Sequence, residues 1–169
     1  DDYVEVASSN SIENLFLGFN PFSISVEINP NNLNGYQEII SKGSSLGEFI
    51  ILKESDSGNI AFVLYSEGYN WIRKTALGIL IPNEKVDLTF TYDGGIYGHN
   101  LTIYKNGYIY DGATNTTEHG SFSGMNSSQF PLTFGERYIT NDGLYHQHHF
   151  NGQMNNITIW DYELTEEEI

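Results

Sequence analysis

Apolar and polar residues alternate with a period of two along most of the chain. In the clearest segment, Phe22–Ile28, every second residue is apolar and the residues between are polar. This period is typical of a β-strand with one buried face. Similar segments predict strands at residues 3–6, 22–28, 37–41, 48–53, 59–65, 71–74, 86–92, 101–104, 108–110, 132–134 and 156–160.

Turn residues separate these strands, and helical signals are few. Asn106–Gly107 predicts a tight hairpin between two short strands. One helical turn is predicted at Ser11–Leu15, and a helix start at Leu164–Ile169 with Thr165 as its cap. The chain of 169 residues is long enough for one domain with a full core. The pattern therefore predicts an all-β sandwich or jelly roll formed by a single domain of residues 1–169.

The charge balance limits the ligands that this domain can bind. Seven Lys and Arg residues stand against 22 Asp and Glu residues, for a net charge of −15. A field of this sign repels nucleic acids and anionic membranes. The apolar runs are also too short to cross a bilayer, so no membrane insertion is expected. The chain has no cysteine, so its stability does not come from disulfides.

Several segments, in the same order along the chain, resemble the laminin-G-like domains of the concanavalin A-like lectin/glucanase superfamily. The Tyr-Asp-Gly at the end of a central strand and the closing segment around Gly152–Trp160 carry much of the likeness. The matching segments are Asp1–Val6, Phe22–Ile28, Ile39–Gly43, Phe90–Gly94, Leu101–Gly107, Leu132–Gly135, Phe150–Trp160 and Leu164–Ile169.

The resemblance implies a two-sheet antiparallel β-sandwich, a concanavalin A-like jelly roll. It also implies that residues 2–6 pair with residues 156–160 and that the chain ends lie close together. It implies no particular activity, because this fold is shared by lectins, adhesion domains and enzymes. The chain departs from the family where Asn155–Asn156 replaces the usual acidic pair, and where Lys85–Asp87 lacks the usual Trp-His pair.

A structural calcium ion is the cofactor that the resemblance implies, at the place where the first strand meets the last ones. Calcium prefers oxygen ligands from carboxylates, amides and carbonyls. Asp2 and Asn155 are the candidate ligands, with Asp1 and Asn156 as further oxygen donors. Because Asn carries no charge, Asn155–Asn156 in place of the family's acidic pair is expected to weaken calcium binding. The alternative is that Asp1 and Asp2 form a frayed acidic terminus.

The best candidate for a ligand-binding surface is the segment around Tyr69, Trp71 and Arg73. Alternate residues of a strand share a face, so an aromatic platform for a sugar ring is predicted there. Tyr97 and Tyr145 are further candidates in loops. The alternative is that Trp71 packs in the core and that the tyrosines form cross-strand pairs.

Catalysis is not predicted. Retaining glycosidases need two carboxylates about 5 Å apart, and no strand shows the alternating acidic pattern of the glycosidases with this fold. Residues 104–110 loosely resemble the tyrosine-bearing strand of alginate lyases, but the arginine-rich strand of that family is missing. His146, His148 and His149 lie in a predicted loop, either as metal ligands or as a solvated polar segment, for example at a subunit contact.

Two functions follow from these observations. The first is a non-catalytic binding module for a glycan or a surface partner in an extracellular or cell-surface protein. The alternative is a structural or adhesion subunit of a filament, surface layer or virion fibre, with self-assembly of copies of the chain. Exposure of Tyr69 and Trp71 favours the first function, and burial of the first strand or the His loop against a neighbouring copy favours the second.

Overall fold

A computed structural model describes residues 3–43, 49–140 and 144–169, without the side chains of 138–140 and 144–147. One short helix, α1 (Asn10–Leu15), accompanies antiparallel strands. The strands are β1 (Val4–Val6), β2 (Phe22–Pro30), β3 (Gln37–Lys42), β4 (Phe49–Lys53), β5 (Ile60–Ser66), β6 (Asn70–Ala76), β7 (Val86–Tyr92), β8 (Leu101–Lys105), β9 (Tyr108–Ile109), β10 (Thr114–His119), β11 (Leu132–Phe134), β12 (Arg137–Thr140), β13 (Leu144–Gln147) and β14 (Gly152–Trp160).

Two antiparallel sheets form a sandwich, which confirms the all-β prediction. The large sheet has the order β1-β11-β3-β4-β5-β6-β10, and the small sheet has the order β14-β2-β7-β8-β9. The hairpin of β12 and β13 forms a separate two-stranded ribbon beside them. No helix in the described part of the chain is long and apolar enough to span a membrane.

The core lies between the two sheets and is rich in aromatic rings. The side chain of Phe22 on β2 is fully buried. Its ring lies 5.6 Å from that of Phe49 and 6.0 Å from that of Phe62, both on the large sheet. On its own sheet it contacts Tyr92, at 5.8 Å. Rings at these separations contribute packing energy beyond the area that they bury, so Phe22 joins the two sheets.

A buried lysine fastens α1 to the large sheet. The side chain of Lys42 on β3 is completely buried. Its ammonium group donates to Glu13 of α1 at 2.7 Å and to the carbonyl oxygens of Ser128 and Phe130, each at 2.9 Å. These contacts satisfy a charge that would otherwise be costly to bury. They also hold the helix and the segment before β11 against the edge of the sandwich.

The predicted pairing of the first strand with the last one is wrong. Strand β1 pairs with β11 in the large sheet, whereas β14 pairs with β2 in the small sheet. The first and last strands are still neighbours across the sandwich, because Tyr3 and Met154 line one apolar cavity. The segment after β14 crosses the small sheet to its far edge, where Ile169 lies beside Gly107. The predicted closeness of the two chain ends involves Asp1 and Asp2, which lie outside the described residues.

The predictions of individual helices, turns and strands are confirmed in part. The short helix and the Asn106–Gly107 hairpin are confirmed. The predicted C-terminal helix is instead a single turn, in which Thr165 donates to the carboxylate of Glu168. Strand β10 was missed because its residues are all polar and exposed. The predicted His loop contains strand β13, and this ribbon strand gave no apolar alternation that would have revealed it.

Replacing Lys42 with Met is expected to lower the free energy of unfolding by about 3–5 kcal/mol, because Glu13 loses its ion-pair partner and two half-buried carbonyl oxygens lose the ammonium donor. The matched control is Lys85→Met. Lys85 also pairs with a glutamate, Glu27, but its side chain is 61% exposed. That variant should leave the melting curve nearly unchanged. Chemical denaturation of both variants measures their free energies of unfolding. Equal losses of this free energy in the two variants would contradict this role of Lys42.

Candidate ligand-binding groove

Alternation in the large sheet creates two faces of different character. On β6, Ile72 is buried in the core, whereas its neighbours Trp71 and Arg73 are half-buried on the opposite face. On β5, Phe62 packs in the core and Tyr65 belongs to the outer face. Successive residues of a strand point to opposite faces. The residues that alternate with the core residues therefore lie together on the outer face of the sheet.

A cavity of about 350 Å³ lies on this outer face, which we call the outer groove. Three kinds of residue line it. The aromatic residues are Tyr36, Tyr65 and Trp71; the polar and charged residues are Glu38, Glu54, Arg73, Arg137 and His148; the apolar residues are Ile50, Leu52 and Val63. An apolar floor with a few convergent polar groups is the usual composition of a small-molecule site.

The aromatic residues differ in exposure. Tyr36 directly precedes β3 and is 51% exposed, and its ring lies 5.8 Å from the ring of His148. The ring of Trp71 stacks on that of His119, at 6.0 Å and an angle of 20°.

Burial raises the pKa of Tyr65, with the Arg137 charge acting against that shift and the Glu38 charge adding to it. Tyr65 therefore keeps its hydroxyl proton at neutral pH and remains a hydrogen-bond donor.

The charged residues of the groove form two ion pairs. Arg73 donates to Glu54 and, through Nε, to the Thr75 hydroxyl at 2.9 Å. Arg137 Nη1 lies 3.8 Å from Glu38 Oε1. His148 Nδ1 is 3.4 Å from the same oxygen.

Glu38 is the buried member of this set. Its side chain is 1% exposed, and burial raises the pKa of its carboxyl group even though His148 and Arg137 favour the charged form. Glu38 Oε2 and Arg137 Nε have no hydrogen-bond partner among the residues that the structure describes. Buried polar atoms normally have partners, so this corner of the groove is one of the places in the described structure where hydrogen bonding is incomplete.

The predicted binding residues are only partly brought together. Trp71 and Arg73 line the outer groove, and Trp71 is not in the core cluster. Tyr69 precedes the strand, in a 3-10 turn with φ +63°, so it does not share their face. Tyr97 is in a separate loop, stacked on His99 at 5.3 Å. The side chain of Tyr145 lies outside the described residues.

Several groove residues were missed from the sequence, although the signal for some was present. Glu54 follows β4 directly and Tyr65 lies within β5, so alternation could have assigned them to the face of Trp71. Arg137 and His148 come from distant parts of the chain, and no sequence pattern places them beside Glu38. Of the His residues considered for metal binding, His149 Nδ1 lies 3.7 Å from Glu136 and His148 contacts Glu38; the side chain of His146 lies outside the described residues.

The residues proposed for calcium are only partly described. Asp2 lies outside the described residues. Asn155 is exposed on β14, where its amide nitrogen donates to Glu27 at 3.3 Å, and Glu27 also pairs with Lys85. In the ranges that the structure describes, no three His, Asp or Glu residues are grouped so as to hold a metal ion. The calcium site predicted at Asp2 and Asn155 stays a prediction.

Comparisons with known proteins establish the family. A laminin-G family model, described as the concanavalin A-like lectin/glucanases superfamily, matches residues 1–169. The chain therefore belongs to this superfamily. No curated protein matches it by sequence.

Solved structures agree with this fold. The binding domain of botulinum neurotoxin serotype G superposes with a TM-score of 0.70 at 16% identity, over 98% of this chain and 38% of that one. A proposed carbohydrate-binding protein of Bacteroides ovatus gives 0.64 at 17% identity, over 99% of this chain and 44% of that one. Botulinum neurotoxin type C, which depends on two ganglioside molecules to enter cells, gives 0.68 at 19% identity, over 98% and 38%. The chain spans less than half of these proteins, and such identities establish the fold alone.

If calcium binds through Asp2, it binds the folded state and raises its stability. We expect excess chelator to lower the melting temperature relative to millimolar calcium, and Asp2→Asn to reduce that difference. Differential scanning calorimetry of both proteins in both buffers measures it. Identical melting of the wild-type domain in the two buffers would contradict the calcium prediction.

Proposed function

We propose that this domain is a non-catalytic carbohydrate-binding module of an extracellular or cell-surface protein. Its ligand is a neutral, hydroxyl-rich glycan that lies in the outer groove and is left intact. The observation that carries this proposal is the half-buried Trp71 on the outer face of the large sheet, beside its cross-strand neighbour Tyr65 in the groove that also contains the two ion pairs.

Trp71 has the properties of a contact residue. Core packing does not require its side chain, since the neighbouring Ile72 fills the core position on the same strand. The stack on His119, its exposed cross-strand neighbour on β10, restricts the orientations of its ring. A large aromatic ring that is already ordered provides apolar contact with little loss of entropy on binding. The C–H face of a sugar ring suits such a surface.

The charges of the groove favour a neutral ligand. Arg73 is matched by Glu54, and Arg137 by Glu38, so no unbalanced positive charge is available to bind a sulfate or carboxylate. The whole chain carries a charge of −15, which further opposes polyanions. Hydroxyl groups both donate and accept hydrogen bonds, so they complement ion pairs that present both kinds of group.

The two groove carboxylates are poorly suited to catalysis. Glu38 is 1% exposed and is held from the side by Arg137 and His148, so it does not reach a glycosidic bond. Glu54 is paired with Arg73. A retaining glycosidase needs an acid and a nucleophile that both face the substrate. This arrangement supports binding without turnover.

The similar proteins support the proposal in a general way. One is described as a proposed carbohydrate-binding protein, and another depends on gangliosides, which are acidic glycolipids and therefore support a glycan ligand but not its neutral charge. Each property belongs to the whole protein, of which this chain matches less than half. Membership in a family named for lectins and glucanases adds support for a glycan ligand and for a location outside the cell.

The alternative function, a structural or adhesion subunit, is favoured by the edge strand β1. All three residues of β1 are exposed, with Val4 at 59% and Val6 at 38%. An exposed edge strand with apolar side chains is a surface onto which another strand can pair. Concentration-dependent self-association of the purified domain is the observation that would favour assembly over glycan binding.

We expect Trp71→Ala to weaken binding to a neutral oligosaccharide by about 1–3 kcal/mol, because a central aromatic contact is lost. A glycan array with and without calcium identifies the oligosaccharide, and titration calorimetry measures the affinity. The melting temperature should change little, since the ring lies outside the core.

The matched control is Tyr108→Ala. Tyr108 is an aromatic residue of the small sheet, 75% exposed and distant from the groove. This variant should bind as the wild-type domain does. Full affinity in a folded Trp71→Ala variant would exclude the outer groove as the site, and release of shorter products from the oligosaccharide would exclude the non-catalytic assignment.

A further inference from the structure

Glu38 belongs to the outer groove but is not accessible to a ligand. Its side chain is 1% exposed, whereas the side chains of Glu54 and Arg73 are 23% and 30% exposed. The two ion pairs of the groove are therefore not equivalent. The Glu54–Arg73 pair faces the ligand with both members, but the Glu38–Arg137 pair faces it with the arginine alone.

Three separate parts of the chain converge on Glu38. The residue lies on β3, Arg137 begins β12, and His148 follows β13. The backbone N–H of Glu38 donates to the carbonyl oxygen of His148 at 2.7 Å. Its Oε1 atom lies 3.4 Å from His148 Nδ1 and 3.8 Å from Arg137 Nη1. The buried carboxylate of Glu38 thus contacts both the guanidinium group of Arg137 and the imidazole ring of His148.

The surroundings of His148 and Arg137 indicate that this arrangement is held in place at a cost. His148 has a left-handed backbone, with φ +57°, which is uncommon for residues other than glycine. Arg137 Nε is buried without a partner among the described residues. Strained backbones and incompletely satisfied buried groups are kept where function needs them more often than elsewhere.

We infer that Glu38 is the positioning residue of the outer groove: without touching the glycan, its carboxylate holds Arg137 and His148 in place as the hydrogen-bond donors of the β3 wall. This inference rests on the proposed function. In this arrangement Arg137 and His148 on one wall, and Arg73 on the other, donate hydrogen bonds to the glycan's hydroxyl oxygens. The ligand then lies between the two walls, over the apolar floor.

The charge of Glu38 links this role to pH. The titratable or charged groups that face it are Arg137 from β12, His148 from the segment before β14 and Tyr65 from β5. Burial raises the pKa of Glu38 against the opposing effects of His148 and Arg137. Mild acid therefore neutralises it sooner than an ordinary glutamate. A neutral carboxyl group holds Arg137 less firmly, so glycan affinity should fall as the pH is lowered.

The test uses the neutral oligosaccharide that the wild-type domain binds most tightly on a glycan array. We expect Glu38→Gln to lower its affinity about tenfold at neutral pH. Arg137→Met should cause a similar loss, and the double variant should lose little more, because both changes break one unit. Because burial raises the pKa of Glu38, the affinity of the wild-type domain should fall on acidification before ordinary glutamates become protonated, and that of Glu38→Gln should fall less.

The control variant is Glu5→Gln, at an exposed position on β1, which should match the wild-type domain in affinity and pH profile. Circular dichroism confirms that each variant is folded. Wild-type affinity and an unchanged pH profile in Glu38→Gln would overturn the inference while the proposed function stands, and so would fully additive losses with Arg137→Met. A folded wild-type domain that binds no glycan would overturn both.

Discussion

The contact of Phe22 with Phe62 and Phe49 joins the two sheets, and the arrangement of the outer groove follows from it. Because these rings must face the small sheet, the neighbouring residues on β4 and β5 must face away from it. The same constraint on β6 buries Ile72 and leaves Trp71 and Arg73 outside. A shift of one residue in strand register would exchange the two sets and destroy both the core and the groove.

Charge within the groove is balanced locally, although the chain as a whole is strongly acidic. Only seven Lys and Arg residues are present. Arg73 and Arg137 line the groove, and Lys42 is buried against Glu13. Each of these cations is paired with a carboxylate, so the groove presents donors and acceptors without a net charge of its own. An acidic surface then keeps polyanions away, while neutral, hydroxyl-bearing ligands are not repelled.

The sequence predicted the fold better than the site. Alternation found β2 and β7 because each has one apolar face, and it missed β10 because both of its faces are polar. It also placed Trp71 and Arg73 together. It could not place Glu38, Arg137 and His148 together, because their proximity depends on how the β12–β13 ribbon packs on β3. The pairing of β1 with β14, which the family resemblance implied, was wrong because the two strands lie at the edges of different sheets.

We propose the outer groove as the surface that binds the glycan. The chain has two tryptophans, Trp71 in the groove and Trp160 at the end of β14 in the other sheet. Nuclear magnetic resonance of the ¹⁵N-labelled domain gives each indole N–H its own signal. On titration with a neutral oligosaccharide, we predict that the Trp71 signal shifts and that the Trp160 signal stays in place. A shift of Trp160 with an unmoved Trp71 would contradict the account.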